Sequence, residues 1–142
     1  TNLSGEEATQ AGVLGALRRN TWVHLACHSK QDCDQPYYSH FAMRDKPLTL
    51  LDIMENDAPQ AKFAFLSACH TAVGDQETPK EAIYLAAGLQ FSRFKNVVGA
   101  LWVVGDTTAK HVVEAFYQKL FKDSEEGDMP DSVKVALALN HA

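Results

Sequence analysis

Lys62 to Gly74 reads KFAFLSACHTAVG. Five mostly apolar residues, Phe63 to Ser67, have the length and composition of a short buried strand. The run ends on Ala68-Cys69-His70, and turn chemistry follows at Gly74-Asp75. A thiol placed where a strand gives way to a loop sits where an α/β fold presents its reactive groups. The rest of the chain can be read by what it brings to Cys69.

A second strand is expected at Thr21 to Cys27 (TWVHLAC), short, apolar and aromatic at its start, as in a sheet covered on both faces. It ends on Cys27-His28. The strongest strand pattern is Val97 to Val104 (VVGALWVV), which ends at Gly105-Asp106-Thr107-Thr108. Helical spacing fills the intervals. One helix is expected from Ser4 to Arg19, opened by the capping-box pattern Ser4-Gly5-Glu6-Glu7 and stopped at Asn20. Another runs from Lys80 to Phe94 with Pro79 in its first turn. A third runs from the Gly105–Thr108 cap to about Phe121, and a last one begins at Asp131 or Ser132. Residues 29–40 are polar and read as a loop. Phe41–Met43 and Pro47–Thr49 read as a small hairpin, and Thr49 as the cap of a short helix, Leu50 to Asn56. Strands alternating with helices imply parallel pairing and a three-layer α/β domain.

The chain has 142 residues, enough for one domain with a single core. Its formal net charge is −5, from 13 Lys and Arg against 18 Asp and Glu, without a basic cluster. That argues against a nucleic acid or an anionic membrane as the main partner. The longest apolar run is about half of the ~20 residues that a spanning helix needs. Three cysteines without a secretory segment point to reduced thiols in an intracellular, cytoplasmic setting. The sequence starts on Thr and stops in a helical pattern, as a piece of a longer protein would.

In a parallel sheet the carboxyl ends of the strands share one edge, so His28, Cys69 and Asp106 are expected to lie along it. An imidazole beside a thiol can stabilise the thiolate and act as its base. Against this stands the ordinary fate of a free cysteine as a small buried hydrophobe, the reading preferred here for Cys27. Alternation groups Val23, Leu25 and Cys27 on one strand face and His24, Ala26 and His28 on the other. His24, in mid-strand, reads as a hydrogen-bonded core histidine. Asp106 before Thr-Thr also fits an ordinary helix cap. Ser67 lies inside the strand pattern and is the poorer nucleophile. Cys27, His28, Cys33 and His40 share one span, but their spacing fits no zinc pattern, so no metal is expected. No phosphate-binding or dinucleotide-binding glycine motif is present, and no cofactor is expected.

Four segments, His24–His28 (HLACH), Phe65–Ala72 (FLSACHTA), Leu85–Phe91 (LAAGLQF) and Leu101–Asp106 (LWVVGD), occur in an order that resembles the CHAT domain, a caspase-like and separase-like family of the cysteine-peptidase clan. The resemblance runs from about Gly5 to the end. His28 precedes Cys69 by 41 residues, on the scale of the ~50 seen in caspases. It implies a caspase-like sandwich with a mainly parallel central sheet, incomplete here at both ends. It also implies a cysteine endopeptidase with Cys69 as nucleophile and His28 as general acid and base. The backbone N–H groups of Ser29 and Cys69 would hold the oxyanion. Asp106 matches the separase aspartate that lines the pocket for a basic residue before the cut. Family members often carry tetratricopeptide repeats in the same chain. Two positions depart from the pattern: Ser29 stands where Gly is common and His70 where an acid is common. Ser29 is the one feature that favours the alternative of a catalytically weak CHAT module acting in signalling or interaction.

Overall fold

The computed structural model describes residues 2–30, 32, 34–67, 69–70, 82–99, 105–122 and 132–142; at 69, 70, 82–84, 106 and 132 it describes the backbone only. The chain divides into two compact units, Thr1–Val103 and Val104–Ala142.

In the first unit three parallel strands, β1 (Trp22–Leu25), β5 (Phe63–Leu66) and β7 (Asn96–Gly99), form a sheet in the order β1-β5-β7. A second sheet has the order β4-β3-β2-β6, from β2 (His28–Lys30), β3 (His40–Phe41), β4 (Leu48–Thr49) and β6 (Cys69–His70). Helices α1 (Gln10–Arg19), α2 (Leu50–Met54) and α3 (Ala82–Phe91) complete the unit. The fold is therefore mixed α/β, with parallel pairing between strands that alternate with helices. The expected strands Thr21–Cys27 and Phe63–Ser67 are each shorter than predicted, and a second short strand follows each of them. Residues 100–104, the end of the expected strand Val97–Val104, lie outside the described residues, as do residues 71–80 of the loop expected over 70–80; its first residue, His70, belongs to strand β6 instead.

One face of the parallel sheet makes the core. Leu25, Ala64 and Leu66 meet Val13 and Leu17 of α1, Ile53 of α2 and Leu85 and Leu89 of α3. Each buried leucine, isoleucine or valine of this set contributes about 1.5–3 kcal/mol, more than the ~1 kcal/mol of a helix cap, so the sheet face dominates the placement of the helices. The opposite face carries an aromatic ladder. Trp22 packs on Phe63 with ring centroids 4.5 Å apart, and His24 on Phe65 at 5.1 Å.

The helix ends differ from expectation for local reasons. Ser4 makes no side-chain cap bond; Gly5 (φ 54) opens a single 3-10 turn, Gly5–Glu7. A left-handed glycine leaves the helical basin, and α1 starts only after Thr9, whose hydroxyl accepts the Gly12 N–H at 3.1 Å. Buried Gln10 then ties α1 to the hairpin. Its backbone N–H donates to Asp45 Oδ1 (2.8 Å), and its side-chain amide donates to the Pro47 carbonyl (2.9 Å) and Asp52 Oδ2 (3.0 Å). Asp52 also closes a capping box with Thr49, the predicted cap of α2. Helix α3 stops at Phe91 rather than Phe94. Arg93 adopts φ 77, and the Phe94 N–H closes on the Leu89 carbonyl at 3.1 Å. The Phe94 ring is thereby buried while Phe91 is left 71% exposed. The left-handed turn costs about 1–2 kcal/mol in a non-glycine residue, which burial of Phe94 offsets.

The second unit pairs α4 (Asp106–Lys122) with α5 (Ser132–His141). Phe116 and Leu120 of α4 and Val135 and Ala138 of α5 are buried. Asp106 is the first helical residue, and the Gly105 carbonyl accepts the Ala109 N–H at 2.9 Å. Gly105, not Asp106, therefore holds the cap position. The expected acidic loop Asp123–Pro130 lies outside the described residues.

Two outcomes follow. A Cβ at Gly88 would run into Leu50 Cδ1 of α2. Alanine gains up to about 1 kcal/mol in helix propensity, but overpacking costs about 1–3 kcal/mol. Gly88→Ala should lower the urea midpoint, and a rise would refute the close α2–α3 contact. Asp45 is held below its ordinary carboxylate value, chiefly by the Gln10 backbone N–H. A depressed folded value means that the stabilisation exists above the ordinary value of 3.8 and is lost as pH falls through the lowered one. In an NMR titration the Gln10 amide shift should therefore move with a midpoint below pH 3.8. A midpoint at or above 3.8 would show that this hydrogen bond does not form.

Candidate active site

The site begins where two neighbouring strands change sheets together. β1 pairs with β5 in parallel, Leu25 opposite Leu66. The Ser67 N–H donates to the Leu25 carbonyl at 2.9 Å, extending that ladder by one step. Ala26 and Cys27 then carry the first strand into β2, and the chain after Ser67 enters β6. There His28 lies opposite Cys69 and Ser29 opposite His70, again in parallel. The offset survives the change of sheet: 66 − 25 and 69 − 28 are both 41. Backbones paired in this way lie about 4.8 Å apart, so His28 and Cys69 are cross-strand neighbours.

Residues 29–40 contain more structure than the expected loop. β2 extends through Lys30, and β3 begins at His40. The pattern His28 exposed, Ser29 buried, Lys30 exposed places one small polar side chain inward, with Ser29 2% accessible. Hydrophobic patterning has nothing to register in such a strand. The His28 carbonyl accepts the Ala42 N–H of the neighbouring hairpin at 2.8 Å. Successive residues of a strand turn their backbone groups to opposite sides. His28 thus directs its carbonyl to β3, and Ser29 directs its N–H toward β6, the side of Cys69. The His28 ring is exposed. The backbone of Cys69 is described and its side chain is not. The same holds for Asp106, in the second unit.

Other reactive groups lie nearby. As expected from alternation, Leu25 is buried and Val23 and Cys27 half-buried, while His24, Ala26 and His28 are exposed. His24 is hydrogen-bonded as predicted, its Nε2 2.6 Å from Ser67 Oγ. It is not a core residue, because its strand face is open at that position. Desolvation by the surrounding protein still lowers its pKa. Ser67 is half-buried just beyond β5. Sequence reading missed this pair, although the parallel register alone brings residue 67 diagonal to residue 24. Cys27 lines a cavity of about 410 Å³ with Leu3, Val13, Leu17 and Met43, on the α1 side of β1. Among the described residues no group of three or more His, Cys, Asp or Glu gathers as a metal site. Cys33 lies outside them. No described helix is long and apolar enough to cross a membrane.

Burial pushes the Cys27 thiol up to about 11, from 9.0. Two units remove about 99% of the thiolate present in an ordinary thiol, and the higher basicity returns roughly tenfold in nucleophilicity. In a protein carrying Cys33→Ser and Cys69→Ser, Cys27 should be alkylated by iodoacetamide at pH 7.5 about tenfold more slowly than N-acetylcysteine. A faster rate would show that it is not desolvated.

A family model for the CHAT domain matches residues 2–142. Comparison with curated proteins gives no match. The family match spans the described residues of both sheets and all five helices, including His28 and Cys69. The chain belongs to the CHAT domain family, and so is related in general to the caspase-like proteins.

Proposed function

We propose that this protein is a cysteine endopeptidase of caspase-like, three-layer architecture, in which Cys69 is the nucleophile and His28 its acid and base. The observation that carries the reading is the parallel register of His28 against Cys69, together with membership of the CHAT family. A thiol gains nucleophilic power at neutral pH from an adjacent imidazolium, which favours the thiolate.

The Cys69 thiolate attacks the carbonyl carbon of a peptide bond, forming the C–S bond and a tetrahedral oxyanion. Protonated His28 gives its proton to the leaving amine as the C–N bond breaks. Water then attacks the thioester, His28 accepts the water proton, and the carboxyl product leaves as the C–S bond breaks, which restores the Cys69 thiolate and protonated His28. The N–H groups of Ser29 and Cys69 are the oxyanion donors, each about 3–4 kcal/mol in comparable sites. A donor engaged in a strand ladder is not available to an oxyanion, so the Ser29 N–H has to be free of β6 in the reacting complex. In this reading Asp106 would select Arg or Lys before the cut, because a neutral side chain would leave a pocket carboxylate without a partner. The substrate is a protein or peptide. Tetratricopeptide regions of a longer chain would bind partners or regulate access.

The test is made on the full-length protein with peptides that differ only in the residue before the cut. Cleavage should follow Arg or Lys and be abolished by Cys69→Ala and by His28→Ala. Asp106→Asn should reduce kcat/KM for basic peptides by about 100-fold, the scale of a lost charge partner. Preference for acidic or apolar residues would refute the role of Asp106. Cys69 labelling with iodoacetamide no faster than Cys27 would refute the dyad and leave a CHAT module that acts by binding.

A further inference from the structure

We infer that His24 is a positioning residue that acts through Ser67, holding the β5-to-β6 connection so that Cys69 stays opposite His28. The inference rests on the Cys69–His28 reading and extends it to two residues outside the dyad.

Three observations carry it. His24 Nε2 and Ser67 Oγ are 2.6 Å apart, a direct bond between β1 and the residue that leaves β5. The His24 ring rests on Phe65, its register partner, at 5.1 Å and a tilt of 55°, so the ring is fixed on two sides. The Ser67 N–H is itself bound to the Leu25 carbonyl at 2.9 Å. Ser67 is thus held through its backbone and its side chain, both times by β1. It stands two residues before Cys69, and His24 stands four before His28. The bond spans the point at which both strands change sheets. A side-chain bond costs little to form there and prevents the second strand from slipping, since a slip of one residue in β6 would set His28 opposite Ala68 or His70. The lowered pKa of His24 favours its neutral ring, whose Nε2 either accepts a hydrogen bond from the Ser67 hydroxyl or donates one to its oxygen, according to tautomer.

A positioned pair also differs from a second catalytic pair. Serine beside histidine is the beginning of a nucleophile–base arrangement. Here the hydroxyl is half-buried in the strand connection, and the seat of the ring is structural. Ser67 therefore holds Cys69 in register and does not attack.

The experiment measures the rate of Cys69 alkylation by iodoacetamide against pH in the full-length protein, for the unaltered chain, Ser67→Ala, Ser67→Thr, His24→Ala and His28→Ala. Ser67→Ala and His24→Ala should each slow the reaction at pH 7 by about tenfold and move the midpoint of its pH profile upward toward that of His28→Ala. Ser67→Thr keeps the hydroxyl and should retain the unaltered profile. A change in fold stability alone would lower the melting temperature without moving the midpoint. If His28→Ala shifts the profile and neither Ser67→Ala nor His24→Ala does, this inference falls and the dyad stands. If His28→Ala leaves the profile unchanged, the dyad falls and this inference with it. If Ser67→Ala does not fold, the midpoints of Ser67→Thr and His24→Ala decide. Labelling of Ser67 by a fluorophosphonate probe would overturn the positioning role by making the serine a nucleophile.

Discussion

The parallel register of β1 on β5 is the constraint on which the other features depend. It buries Leu25, Ala64 and Leu66 against three helices. A slip of one residue would turn that apolar set to the opposite face, where Trp22, His24, Phe63 and Phe65 now form their ladder. Between β1 and β5 the register is therefore held by the whole face of the core, and the His24–Ser67 bond acts beyond it, where the strands enter the second sheet. Because the same offset of 41 residues continues into β2 and β6, the cost of slipping the core also protects the pairing of His28 with Cys69. A short polar strand pair that could not hold itself is thus held by the apolar pair before it.

This dependence explains what could be read in the sequence. Phe63–Leu66 is apolar and buried throughout, and the strand, its neighbours and the alternation of exposed and half-buried residues along residues 22–28 all follow from patterning. β2 and β6 do not. His28–Lys30 and Cys69–His70 contain no aliphatic residue, and their pairing follows from the strands that lead into them. That the strands ending at His28 and Cys69 run side by side was legible from strand order. Their placement inside a second sheet was not, because a strand of two or three polar residues has no periodicity to detect.

The helix termini make the same point through backbone geometry. Ser4 with Glu7 matches a capping box by residue type, yet Gly5 takes a left-handed φ and Thr9 does the capping. At the end of α3 no glycine announces the stop. Arg93 adopts the conformation that glycine would favour, because the Phe94 ring has a place in the core. In both places a choice local in sequence is decided by burial several residues away, and a residue-by-residue rule has no term for that.

The contrast between Cys27 and Cys69 is the last consequence of the change of sheet. Both residues follow a β strand of the parallel sheet, and composition does not distinguish them. Cys27 shares the inward face with Val23 and Leu25, lines a mainly apolar cavity, and has a thiol raised to about 11, where little thiolate exists near neutral pH. One residue later, His28 has crossed to the exposed face and into β2. Cys69 falls opposite that histidine because the shared offset carries it there, one strand over. Alternation along one strand and register between two are enough to assign one cysteine to packing and to set the backbone of the other opposite His28. The proposal that this second pairing is a catalytic dyad rests on the CHAT family match as well, since residues on adjacent strands are otherwise only neighbours.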